Sequence, residues 1–287
     1  MVKCRGGPII TDAARTAAHA SADRLAKPPA SMPIIVNQGI SFMQKNLLIL
    51  GGTTEASALA QIISKTSINA RLSYAGRVSR LRPSPIEKRV GGFGGVSGLV
   101  EYLKLEKITH VIDATHPFAS QMSKNAIEAC TLAGIPLAAL TRPPWQKEIG
   151  DKWINVPNVQ AAVQYLEMPK KRVLLAIGRQ SLSLFYTQPQ HKYILRLVDQ
   201  PERPLKFPDH FINISRGPFT VKDDTALFKK HKIELVVAKN SGGSGAYSKI
   251  NVARTLGVSV VMIDRPYIPS RTEVFHTDAV LNWLNQV

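Results

Sequence analysis

The sequence predicts an α/β protein of two domains, each a mainly parallel, doubly wound sheet, with a ligand cleft between them. Three observations predict it. Apolar runs of strand length alternate with helical stretches from residue 46 onward. The alternation restarts after residues 145–170, which divides the chain into two halves of similar build. The strand ends repeatedly carry Gly, Ser, Thr, Arg or Lys, where sheets of this kind bind their ligands.

The first strand is Asn46-Leu47-Leu48-Ile49-Leu50, an apolar run that stops at Gly51-Gly52. Ala58–Ile63 then continues with helical character. A strand, a tight glycine turn and a helix N-terminus together make an anion site. The glycines let the backbone approach a phosphate, and the unpaired N–H groups and positive dipole end point at it. Thr53 and Thr54 add hydroxyl donors and can cap the helix. The spacing is not G-x-G-x-x-G, and glycine turns are common in α/β domains, so this segment alone permits nucleotide binding without requiring it.

A second strand, Asn69–Tyr74, ends in Ala75-Gly76-Arg77. NAD-binding folds place an acid about 20 residues past the glycines, on the ribose hydroxyls. No acid stands here. The Ser73 hydroxyl and Arg77 guanidinium suit a 2′-phosphate, which favours NADPH over NADH; an ordinary surface arginine is the alternative. Glu87–Val90 leads into Gly91-Gly92-Phe93-Gly94-Gly95 and a helix over 97–106. Strand 109–113 runs into Ala114-Thr115-His116-Pro117-Phe118-Ala119, and helix 120–133 stops at Gly134. Strand 136–140 ends at Arg142-Pro143-Pro144-Trp145.

The second half opens with helix 158–166 and strand 171–177, which ends in Gly178-Arg179-Gln180. Strands 193–197 and 211–214 follow, the latter leading to Ser215-Arg216-Gly217-Pro218-Phe219. Helix 221–231 precedes strand 234–238, which ends in Lys239-Asn240-Ser241-Gly242-Gly243. A helix near 247–256, strand 258–263, Asp264-Arg265-Pro266 and a last helix from Asp278 complete the chain. The expected organisation is a leader over 1–42, an N-terminal dinucleotide-binding domain over 43–157 and a C-terminal domain over 158–287 that completes the cleft.

Composition narrows the partners. The chain has 287 residues, 44% hydrophobic and 20% charged, which is globular. No stretch reaches the ~18 apolar residues of a membrane span. Cys4 and Cys130 lie far apart with no metal-ligand spacing, so a reducing, cytoplasmic setting is expected, with no disulfide framework and no metal site. The net charge of +17 calls for an acidic partner. Lys and Arg are spread along the chain without a basic block, and aromatics are only 7%, which argues against a nucleic-acid module with a stacking surface. Residues 1–42 are rich in Ala, Ser and Pro and lack a sustained apolar period, so they read as a disordered or non-native leader.

Seven blocks taken in order carry a resemblance. They are Gly51–Ala56, Ala75-Gly76-Arg77, Val90–Gly95, Asp113–Ala119, Ile177–Gln180, Arg216–Phe219 and Lys239–Gly243. Together they resemble the precorrin-6A reductase family of cobalamin biosynthesis, which also has a cobalt-precorrin-6A form. The resemblance spans about residues 45–270 and leaves 1–42 outside.

It implies two Rossmann-like domains and an NADPH-dependent reduction of one ring double bond. The substrate it implies is a polycarboxylate corrin-precursor macrocycle held in the cleft; it implies neither nucleic acid nor membrane as partner. On that resemblance Gly51, Gly52, Thr53, Thr54 and Glu55 form the cofactor-phosphate loop. Arg77 meets the 2′-phosphate, with Ser73, Gly92 and Thr115 nearby. His116, Arg179, Gln180, Arg216, Lys239, Asn240, Ser241, Gly242 and Gly243 wall the substrate side.

The charge reading agrees, since arginine forks suit carboxylates. His116 is the candidate proton donor, because an imidazole at a strand end can titrate near neutrality; a structural histidine before Pro117 is the other reading. Lys239 is a carboxylate clamp or a general acid. Another NADP-dependent oxidoreductase acting on a different anion, or a basic nucleic-acid-binding protein, are the rival functions.

Overall fold

The computed structural model describes residues 44–76 and 83–287. The expected leader over 1–42 and the Arg77 assignment lie outside the described residues. The first half contains β1 (Asn46–Leu50), α1 (Thr54–Ile63), β2 (Asn69–Tyr74), β3 (Glu87–Val90), α2 (Gly95–Leu105), β4 (His110–Asp113), α3 (Ser120–Ala133) and β5 (Leu137–Leu140). The second contains β6 (Trp153–Val156), α4 (Val159–Tyr165), β7 (Arg172–Ala176), a 3-10 helix (Arg179–Thr187), β8 (Lys192–Leu197) and β9 (His210–Ile214). It continues through α5 (Val221–His231), β10 (Leu235–Lys239), α6 (Ser248–Leu256), β11 (Ser259–Ile263), β12 (Thr272–Val274) and α7 (Thr277–Gln286).

Two six-stranded sheets result, ordered β12-β5-β4-β1-β2-β3 and β6-β11-β10-β7-β8-β9. Every pairing is parallel. Parallel sheets need both faces covered, and the central strands meet that need by alternation. Leu47 and Ile49 of β1 enter a core with Leu59 and Ile63 of α1 and Val280 and Leu284 of α7. Leu48 and Leu50 enter the opposite core, with Leu99 and Leu103 of α2 and Ala126 and Ala129 of α3. The second sheet repeats the scheme. Val173 and Leu175 pack with Leu182 and Phe185, and Leu174 packs with Phe228 and Ile250 on the other face.

Each sheet has a switch point beside a central strand: β1 next to β4, and β7 next to β10. Strand pairing crosses the boundary expected at 157/158. β6 precedes that boundary yet pairs with β11 in the second sheet, while β12 follows the second sheet yet pairs with β5 in the first. The first sheet thus takes an edge strand from beyond the second sheet, and the second sheet begins at β6. These two strands, with four and three residues, are too short for a period-2 pattern to stand out.

Candidate functional site

Because each sheet is parallel, all its strands end on one edge, and contacts bring the two carboxyl edges together. The Arg142 guanidinium, past β5, lies 3.5 Å from the Glu55 carboxylate and packs along Gly243, past β10. Lys239, at the end of β10, holds its ammonium 5.4 Å from the Phe118 ring of the loop after β4. It also donates to the Ser181 hydroxyl at 3.3 Å. Groups from β1, β4, β5, β7, β10 and β11 therefore meet where both switch points lie.

The glycine turn after β1 is fastened on both sides. Gly51 N–H donates to the Ser73 carbonyl at 2.8 Å, and the Thr53 hydroxyl donates to the Ala114 carbonyl at 2.7 Å. Thr53 also caps α1 by accepting from Ala56 N–H at 3.1 Å. A methyl group on Gly51 would fall 2.6 Å from Leu72, so the turn lies flat against β2. Gly52 takes φ +118° and has open space before it. An ordered turn with an open face, followed by the free N–H groups of a helix start, fits a pyrophosphate. The Glu55 carboxylate, beside that turn, accepts from the Thr54 hydroxyl at 3.0 Å and lies 3.5 Å from the Arg142 guanidinium.

The loop after β4 is built around Asp113, a buried carboxylate. One oxygen accepts from Thr115 N–H at 3.1 Å and from the Thr115 hydroxyl at 2.6 Å. The other accepts from Ser123 at 2.6 Å and pairs with Arg271, which precedes β12. The Thr115 hydroxyl, expected on the cofactor, is thus committed to Asp113. His116 follows, held by Phe118 N–H, which donates to Nδ1 at 3.2 Å. Its remaining proton sits on Nε2. Burial, and then the charges of Arg142, Lys239 and Arg265, push its pKa down to about 3. That shift is away from the near-neutral titration expected from the sequence and favours the neutral imidazole among these cations.

The loop after β10 clasps the segment after β5. Asn240 accepts from Trp145 N–H at 2.8 Å and donates to the Trp145 carbonyl at 3.0 Å, while the Trp145 indole donates to the Gly243 carbonyl at 2.7 Å. Arg265 donates to the Asn240 and Ser241 carbonyls at 3.0 and 3.2 Å. Burial, aided by Arg142, lowers its pKa to about 10. Of the block expected on the substrate, Asn240 spends its amide on Trp145, and Gly242 and Gly243 pack under Pro143 and Arg142. Lys239 alone of the block presents a charge to the cleft, and burial lowers its pKa. Beside the clasp lies a cavity of about 350 Å³ between Trp145, Trp153, Lys147 and Arg265.

Arg179 and Gln180 are exposed at the start of the 3-10 helix, and Arg179 lies 3.9 Å from Glu202. Arg216 lies 3.9 Å from Asp199. These two arginines stand on the same carboxyl edge, at the ends of β7 and β9, farther along the sheet than Lys239. Residues that sequence reasoning left unassigned include Arg142 and Arg265, each of which directly precedes a proline past a strand end. Arg89 is another, stacked 3.9 Å over the Phe93 ring beside the first sheet's edge. Among the described residues no group of His, Cys, Asp and Glu could hold a metal, and no helix is long and apolar enough to cross a membrane.

Residues 46–285 match the family described as Precorrin-6x reductase CbiJ/CobK. A precorrin-6A reductase of Rhodobacter capsulatus is 52% identical over 238 residues, 83% of this chain and 95% of that one. A Sinorhizobium precorrin-6A reductase is 43% identical over 84% and 94% of the two chains. A solved structure named CobK precorrin-6A reductase superposes with a TM-score of 0.81 at 50% identity, covering 84% of this chain and 96% of that one.

Proposed function

The chain belongs to the precorrin-6x reductase family, and from that premise we propose that its substrate is the metal-free macrocycle precorrin-6A and its reductant NADPH. It is an oxidoreductase that reduces a ring carbon–carbon double bond in cobalamin biosynthesis, with a nicotinamide cofactor. The observation that carries the site assignment is the meeting of both carboxyl edges, which collects Arg142, Lys239 and Arg265 around a neutral His116. A polycarboxylate macrocycle is the kind of ligand that such a cluster suits. The metal-free substrate is favoured by the relatives. Those named for precorrin-6A are 38–52% identical, those named for cobalt-precorrin-6A 26–28%. NADPH is favoured by the absence of a carboxylate at the end of β2, where Ser73, Tyr74, Ala75 and Gly76 stand.

When bound, the nicotinamide supplies a hydride to a ring carbon. This chain's residues then have positioning work. Gly51, Gly52 and the first N–H groups of α1 hold the pyrophosphate at the β1–β4 switch point. Lys239, Arg142 and Arg265 orient the macrocycle through its carboxylates, with Arg179 and Arg216 serving its outer substituents. Trp145, Asn240 and the two glycines close the wall and exclude water. His116 donates from Nε2 to hold the ring or a carboxylate; with so low a pKa it is not the acid that delivers the second hydrogen. The cytoplasm is the setting proposed, where the buried Cys130 thiol stays reduced.

Turnover under anaerobic conditions tests this reading. With NADPH the protein is expected to reduce precorrin-6A at least about tenfold faster, as kcat/KM, than its cobalt complex or than with NADH. Equal rates on both macrocycles would remove the metal-free assignment, and equal rates with both nucleotides would remove NADPH.

A further inference from the structure

We propose that Arg89, on the neighbouring strand, reads the 2′-phosphate of the cofactor together with the Ser73 hydroxyl. The proposal rests on the NADPH reading above. In doubly wound nucleotide folds the adenosine ribose lies at the end of the second strand, next to the glycine turn. Here that end offers Ser73, only 4% exposed, whose carbonyl already anchors Gly51. Parallel register places Arg89 of β3 directly opposite Ser73. The Arg89 guanidinium lies 3.4 Å from the Ser73 hydroxyl, so the two groups share one spot on the carboxyl edge.

That guanidinium is already in place before any ligand arrives. It donates to the Gly91 carbonyl at 2.6 Å and the Gly92 carbonyl at 2.7 Å, and it stacks 3.9 Å over Phe93 and 4.9 Å over Tyr102. Phe93 and Tyr102 in turn meet edge-on at 5.0 Å. A guanidinium carries five N–H donors, and the bonds to Gly91, Gly92 and the Ser73 hydroxyl use three. Its charge is also uncommitted. Arg71, on β2, is neutralised by Glu87 and Glu106, whereas among the described residues no carboxylate lies within ion-pair distance of Arg89. An ordered, unneutralised fork beside a buried hydroxyl is built for a phosphate dianion. It also gives Gly92 a role: its carbonyl aims the fork.

Calorimetric titration of the wild type, Arg89→Met and Arg89→Lys with NADPH, NADH and adenosine 2′,5′-bisphosphate tests the assignment. The wild type should prefer NADPH. Arg89→Met should lose about 10- to 100-fold in affinity for NADPH and for the bisphosphate, with NADH unchanged within about twofold. Arg89→Lys, a charge without the fork, should fall between. Unchanged NADH binding shows that the Gly91-Gly92 loop has kept its shape. If Arg89→Met retains the NADPH preference, or weakens both nucleotides equally, Arg89 is not the reader, and the NADPH reading stands without it. A wild type with no preference overturns both.

Discussion

Gly242→Ala is expected to destabilise the protein by about 3–5 kcal/mol and to abolish measurable reduction. Two costs coincide at this position. Gly242 adopts φ +68°, a left-handed backbone that costs an alanine about 1–3 kcal/mol. The added methyl would also sit 2.2 Å from the Pro143 carbonyl oxygen and 2.5 Å from an Arg265 guanidinium nitrogen. The side chain can swing away, but the backbone carbonyl cannot. Relief requires the segment 142–145 to lift off the β10 loop. That movement breaks the Trp145–Asn240 pair and shifts Arg142 away from the cleft. Chemical denaturation together with turnover reads both effects. Gly245→Ala is the control, since nothing lies within 4 Å of its added methyl and its φ is not in the left-handed range. It should change stability by less than about 0.5 kcal/mol.

Lys249→Met is expected to change how stability depends on pH. Lys249 is 3% exposed in the first turn of α6, its ammonium 4.6 Å over the Trp145 ring and donating to the Ala246 carbonyl. Burial, then the charge of Arg196, lowers its pKa to about 7, and Asp224 opposes the shift; Arg196 and Asp224 are themselves a buried ion pair. The folded pKa lies below the ordinary 10.5, so between the two values the unfolded chain holds a proton that the folded chain lacks. Stability from this group therefore rises with pH through that window, by about 1.4 kcal/mol per pH unit, and its cost is full below the folded value. Methionine keeps the contact with Trp145 and removes the proton. The stability of Lys249→Met relative to wild type should fall by about 1.4 kcal/mol per unit as pH is raised from about 7 to about 9. Because the comparison is a difference, oppositely signed groups such as the Cys130 thiol, pushed up to about 12, cancel. Parallel stability curves for the two proteins would show that Lys249 is charged throughout.

Much of this is legible in the sequence. Leu47–Leu50, Val173–Ala176 and Leu235–Ala238 are apolar runs that announce central strands, and each ends in the glycine or cation that marks the binding edge. What escaped depends on pairings between distant segments. β6 and β12 become strands because edges of two different sheets accept them, which no local pattern encodes. Asn240, Gly242 and Gly243 look like ligand contacts in sequence, because glycine and amide suit both anion loops and close chain crossings. Only the approach of Pro143 and Trp145 decides between the two. His116 looks titratable in sequence, and what suppresses its charge is burial followed by four cations from distant segments, Arg142, Lys239, Arg265 and Lys249. Arg89 was hidden differently. Its importance rests on register with Ser73, one strand away.

The most direct test of the whole account follows the hydride. NADPH carrying deuterium at both C4 positions is mixed anaerobically with the protein and precorrin-6A, and the macrocycle is weighed by mass spectrometry. Each macrocycle is expected to gain two hydrogens, one of them deuterium, for each cofactor consumed. Cofactor oxidation with no deuterium in the macrocycle, or a macrocycle of unchanged mass, would contradict it.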